Sequence, residues 1–156
     1  MLNKYPISCY DKNICLKMNS TMWLILLYLL KSYFIALLSV VNISERMQLI
    51  DMFYSDRLML SLGALAGIPA ILVVYAWIKR VPGAPPLIRR FWIGGRALLA
   101  ISAILHACIV FVPLWLGTAH KIEVSGWIQL FISLLIVFIV YRSQYIRDCF
   151  SDFPEK

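Results

Sequence analysis

Acidic residues are scarce in this chain of 156 residues: eight aspartates and glutamates stand against fifteen lysines and arginines, and none falls in its four long apolar stretches. That absence removes membrane-embedded carboxylate chemistry, including the first-helix glutamate on which small four-helix multidrug exporters depend. The sequence has no HExxH, GxSxG or Walker loop and no paired intramembrane aspartates, so metalloprotease, serine hydrolase and aspartyl protease readings lack their residues. Histidine occurs twice and cysteine four times, but Cys9 and Cys15 have five residues between them and no histidine nearby, which is poor metal-ligand spacing. The outward-facing cysteine pairs of four-helix thiol oxidases are missing as well. Neither a catalytic residue nor a metal or cofactor is expected, and the chain is read as non-enzymatic. Internal repeats, low-complexity tracts and a soluble domain large enough for a separate activity are also lacking.

What remains is apolar. The chain is 62% hydrophobic with a mean hydropathy of +0.80. Four stretches, about Met22 to Val41, Leu58 to Ile78, Ala97 to Leu116 and Val124 to Tyr141, reach the roughly 20 residues that a helix needs to cross about 30 Å of hydrocarbon. They lack the period-two alternation of barrel strands, and in lipid only helices or closed barrels satisfy their own backbone. The expected fold is all-α: a polytopic membrane protein with four transmembrane helices in one bundle over residues 22–141. Segments 1–21 and 142–156 are expected as cytoplasmic ends. All five tryptophans, Trp23, Trp77, Trp92, Trp115 and Trp127, fall near the span ends, where an indole keeps its ring dry and its N–H wet.

Basic residues between the spans number eleven on the side of both termini and three on the other, with Lys31 inside a span, so both ends are expected in the cytoplasm. The net charge of +7 then needs no nucleic acid to explain it. The second loop holds Lys79, Arg80, Arg89, Arg90 and Arg96 and no acid; it reads first as a topology determinant, and also as a set of anionic-lipid contacts. Cys9, Cys15 and Cys149 fall on the reducing side, so no disulfide is expected.

In the first outer loop Ile43, Met47, Ile50 and Tyr54 recur at helical spacing, which predicts a short interfacial helix. Gly63, Gly67 and Ala70 leave one face of the second span nearly bare, a helix-packing face inside the bundle or toward a partner. Pro69 and Pro113 predict kinks in the second and third spans. Tyr145, Cys149 and Phe153 carry the last helix onward along the cytoplasmic surface.

Lys31 and His106 sit at the centres of the first and third spans; Ser102 shares the histidine's face, and Gln129 and Ser133 share a face of the fourth. A lysine at mid-membrane costs about 2.5 to 3.5 kcal/mol on insertion scales and points into the bundle. With no carboxylate to meet it, its partners are Ser133, Gln129, a carbonyl freed by proline, or water; otherwise it sheds its proton. This level reads either as interhelical fastening or as a hydrated site for an anion or a proton relay, the first being favoured.

The stretches "YDKNICLK" (Tyr10 to Lys17) before the first span, the basic Lys31 within it and "FYSD" (Phe53 to Asp56) before the second resemble the YfeZ-like family of small gammaproteobacterial inner-membrane proteins, a domain of unknown function. Prolines follow the Leu-Lys pair in that family, where this chain has Met18 and Asn19. The resemblance implies a multi-pass protein of the bacterial inner membrane and brings no activity. The function expected is that of a non-enzymatic accessory or scaffold component, with the lipid bilayer and a membrane-protein partner or second copy as its contacts. The alternative is a small transporter or channel component working through Lys31 and His106.

Overall fold

The computed structural model describes residues 5–11, 15–41 and 57–154. The predicted interfacial helix over Ile43 to Tyr54 lies outside the described residues. Among the described residues eight α-helices follow a short 3₁₀ turn at Ile7–Cys9: α1 Ser20–Leu29, α2 Lys31–Val41, α3 Arg57–Ile78, α4 Pro86–Ile93, α5 Gly95–Ile109, α6 Val112–Trp115, α7 Val124–Arg142 and α8 Gln144–Ser151. No strand occurs among the described residues; Tyr10 and Leu16 form an isolated antiparallel bridge.

Among the described residues two helices, α3 and α7, are each long and apolar enough to cross a membrane alone. The number rises to four if the bent pairs α1 with α2 and α4 with α5 each count as one span. Leu65, Ile71, Phe131, Leu134 and Phe138 on the two long helices are exposed, which an apolar surrounding explains and water does not. Helix α5 packs against both α3 and α7, with α1 touching both α3 and α5.

The spans depart from four straight rods in three places. The first bends by 60° at Leu30, so that Lys31 opens a new helix instead of sitting inside one. The third is expected to start at Ala97, but a separate amphipathic helix precedes it: α4 buries Ile88 and Trp92, exposes Arg89 and Arg90, and turns 58° through Gly94 into α5. Proline explains the third departure. Pro113 lies in the first turn of α6, where its missing N–H is harmless, and the helix before it ends at Ile109. Pro69, by contrast, lies inside a continuous α3.

The last helix does not run on past Arg142. Ser143 takes an extended conformation, and its hydroxyl accepts from the Ile146 N–H at 3.4 Å to start α8 anew. Helix α8 folds back under the bundle against α4 and α5, burying Ile146, Cys149 and Phe150. Gly95 makes room for it: a Cβ there would strike the ring of Phe150. The main hydrophobic core therefore reaches from mid-bundle to the end that carries both termini, joining Met22, Leu29, Val73, Leu99, Val140 and Phe150.

Candidate functional site

The residues singled out at mid-depth meet. Ser102 is fully buried and donates to the Ala66 carbonyl of α3 at 2.7 Å. Gln129 Nε2 on α7 donates to the His106 carbonyl of α5 at 3.3 Å. Tyr28, not singled out from the sequence, binds the layer together from α1: its hydroxyl donates to the Gln129 carbonyl at 3.1 Å and lies 3.2 Å from the Ser133 hydroxyl. Four helices are thus cross-linked at one level, largely through backbone carbonyls.

Two groups in the layer stand apart. The Lys31 amine sits over the face of the Tyr28 ring, 4.6 Å from its centroid. His106 is 1% exposed, with its ring centroid 6.2 Å from that of Tyr28. His106 Nδ1 is 2.9 Å from the Ser102 carbonyl oxygen. A carbonyl only accepts, so Nδ1 carries the hydrogen and Nε2 of the neutral ring offers a lone pair. That Nε2 is buried and has no hydrogen-bond partner among the described residues. A buried acceptor without a donor suits a proton or a bridging water.

The small-residue face is occupied from within the chain. Gly63, Gly67 and Ala70 are buried, and a Cβ at Gly67 would come within 2.8 Å of the Tyr33 ring and 3.1 Å of the Leu29 carbonyl oxygen. Tyr33 lies across this face with its hydroxyl donating to the Ala64 carbonyl.

A second polar cluster lies at the end of the bundle that bears the termini, and the sequence reading had not assembled it. Arg80, grouped above with the anionic-lipid contacts, has a side chain only 7% exposed. Its guanidinium donates to the Leu16 carbonyl at 2.9 Å and the Asp152 carbonyl at 2.7 Å, stands 4.0 Å from the Asp152 carboxylate, and stacks on Trp92 at 4.5 Å. Trp92 is fully buried inside the protein and donates its indole N–H to the Cys149 and Asp152 carbonyls. Asp152 also accepts from the Leu16 N–H at 2.9 Å, Tyr145 donates to the Lys17 carbonyl at 2.8 Å, and Tyr5 to Asp148 at 3.0 Å. The amino-terminal segment, the end of α3, α4 and α8 are locked into one cap. Burial pushes the thiols of Cys15 and Cys149 up, the latter to about 11, with the Arg80 charge opposing the shift at both. Burial likewise raises the Tyr145 phenol to about 12.

Of the other basic residues in that loop, Arg96 reaches the Val140 and Tyr141 carbonyls and stacks on the Tyr141 ring, while Lys79, Arg89 and Arg90 are exposed. A signal for the cap did exist: Asp148 and Asp152 are two of eight acids in the chain, spaced four apart in the tail, opposite a loop with five basic residues and no acid. Among the described residues no group of three or more histidines, cysteines or acids is placed to hold a metal ion.

No curated protein and no solved structure matches the chain. A family model does, and it spans both the polar layer and the cap: matched over residues 5–152, the chain belongs to the family described as Protein of unknown function (DUF2919).

Proposed function

We propose that the chain is a four-span protein of the bacterial inner membrane, with both termini cytoplasmic, that works as a non-enzymatic accessory or scaffold component. The basic-residue asymmetry and the narrower likeness to YfeZ-like proteins support the location; counting each bent helix pair as one span supports the topology. The observation that carries the role is the polar layer itself. Tyr28, Ser102 and Gln129 each donate to a backbone carbonyl of another helix, so these side chains are used in fastening the bundle. The surfaces that remain for a partner or a second copy include the exposed sides of α3 and α7, because Tyr33 packs against the small-residue face at Gly67.

The test is extraction of the natively expressed, tagged protein in mild detergent, with sizing and mass spectrometry of what accompanies it. A stoichiometric membrane partner or a defined homo-oligomer is expected; a lone monomer sinks the reading. One observation favours a second reading, a small transporter or channel component that handles protons: the buried His106 Nε2 has no partner among the described residues, and His106 and Lys31 both approach the Tyr28 ring. In liposomes that reading predicts a proton flux abolished by Lys31→Met at unchanged protein level, whereas the accessory reading predicts no flux in either form.

A further inference from the structure

We propose that the outward face of α4 docks on anionic phospholipid, with Arg89 and Arg90 taking headgroup phosphates and Leu87 and Ile93 resting on the acyl chains beneath them. This inference rests on the membrane location and holds under either functional reading.

The residues of α4 divide into two stripes. Ile88 and Trp92, four apart, are buried against the bundle. Leu87, Arg90 and Ile93, each three apart, lie on the opposite side with Arg89 at its edge, and all four are exposed, Leu87 by 58% and Ile93 by 51%. Water gives no reward for two large aliphatic side chains there, and hydrocarbon rejects two guanidinium groups. A lipid interface accepts both. Helix α8, packed against α4, supplies the comparison: it too buries one face, but its exposed residues Gln144, Arg147 and Ser151 are all polar. The mixed face is therefore a property of α4 and not of that end of the bundle as a whole.

Charge sets the sign of the surface it meets. Neither the Arg89 nor the Arg90 side chain has a polar partner among the described residues, where the ion pairs use Arg80 and Arg147. From Lys79 to Arg96 the chain has no acid to offset them, and Arg80 and Arg96 are already engaged with carbonyls. A guanidinium pairs with phosphate through two parallel hydrogen bonds. Continuity favours lipid over an acidic protein. The helix before α4 ends in the exposed Trp77 and Ile78, and the helix after it, turned 58° at Gly94, exposes Ile101 and Ile104, so the apolar part of the α4 face falls between two apolar surfaces of the same chain.

The experiment is native mass spectrometry of the purified full chain titrated with phosphatidylglycerol, phosphatidylethanolamine and soluble glycerophosphoglycerol. The expected result is a preference for phosphatidylglycerol that falls about thirtyfold in Arg89→Gln/Arg90→Gln, at about fivefold per basic residue, and falls also in Leu87→Gln/Ile93→Gln. Arg147→Gln, an exposed cation on the polar face of α8, should leave it unchanged. Both double variants alter exposed side chains that take no part in the cap, so the fold is kept. Equal binding of the two lipids overturns the charge assignment and leaves an acidic protein as the partner of the face. An equal loss in Arg147→Gln overturns the assignment to α4, and indifference to Leu87→Gln/Ile93→Gln or equal binding of the soluble headgroup overturns the lipid. Membrane location is read separately by fractionation, so a failed lipid preference is distinguishable from a failed location.

Discussion

Replacing Trp92 with phenylalanine tests whether the cap is held as described. The ring is fully buried between the Arg80 guanidinium, at 4.5 Å, and Phe150, at 4.9 Å between centroids, and phenylalanine keeps most of that packing. What it loses is the indole N–H. The Asp152 carbonyl retains Arg80 as a donor, but the Cys149 carbonyl, in the last turn of α8 where no helical N–H reaches it, loses the donor it has here. Leaving a buried acceptor unsatisfied costs about 1–3 kcal/mol, and the weaker cation–π face of phenylalanine adds at most about 1 kcal/mol. The open population of the cap should therefore rise by about 5- to 160-fold for the hydrogen bond alone.

Cys149 reports that opening. Its side chain is fully buried, its sulfur faces the Leu16 and Lys17 carbonyls, and burial keeps the thiol protonated at neutral pH. Maleimide reacts with it only after the cap opens, so labelling read peptide by peptide in the mass spectrometer follows the open fraction. Trp92→Phe should accelerate Cys149 labelling within the range above, and Trp23→Phe, at a half-exposed indole, should change it by less than about twofold. An unchanged rate in Trp92→Phe, or an equal rise in Trp23→Phe, refutes the assignment of Trp92 to the core and of its N–H to the cap.

Further outcomes follow from the same contacts. Gly67→Leu drives a side chain into the Tyr33 ring and the Leu29 carbonyl, an overpacking worth about 1–3 kcal/mol or more, and should lower the amount of folded protein in the membrane, whereas Ile68→Leu, on the exposed side, should not. Alkaline pH should loosen the cap. The Cys149 thiol moves from an ordinary 9.0 to about 11 on folding, so its contribution is complete below pH 9 and lost as the pH rises toward 11. Tyr145, raised to about 12, acts in the same direction at higher pH. The detergent-unfolding midpoint should fall over that window in the parent and fall less in Cys149→Ala; an identical fall in both would remove the thiol as the cause.

The polar layer shows how far a pattern in the chain carries. Midpoints of apolar runs put Lys31, His106 and Ser133 near one level, because a helix advances a fixed distance per residue whichever way it points, and Ser102 and Gln129 share faces with the latter two. Tyr28 escaped that logic. Tyrosine is ordinary in an apolar helix, and only the approach of α1 to α7 gives its hydroxyl two partners. Arg80 and Trp92 were misjudged for a related reason: a basic loop residue and a tryptophan near a span end have a default place at the membrane surface. A tail that turns at Ser143 and returns covers both side chains.

Composition and run length by themselves determined that the described elements are apolar helices suited to a membrane, since burying an unpaired backbone in lipid is prohibitive whatever the neighbours. The 60° bend at Leu30, the filling of the Gly67 face by Tyr33 and the closing of the cap by Arg80, Trp92 and Asp152 were decided only in three dimensions. The last two depend on a carbonyl or a bare helix face meeting a side chain 31 to 72 residues away, and local periodicity carries no information about such a meeting.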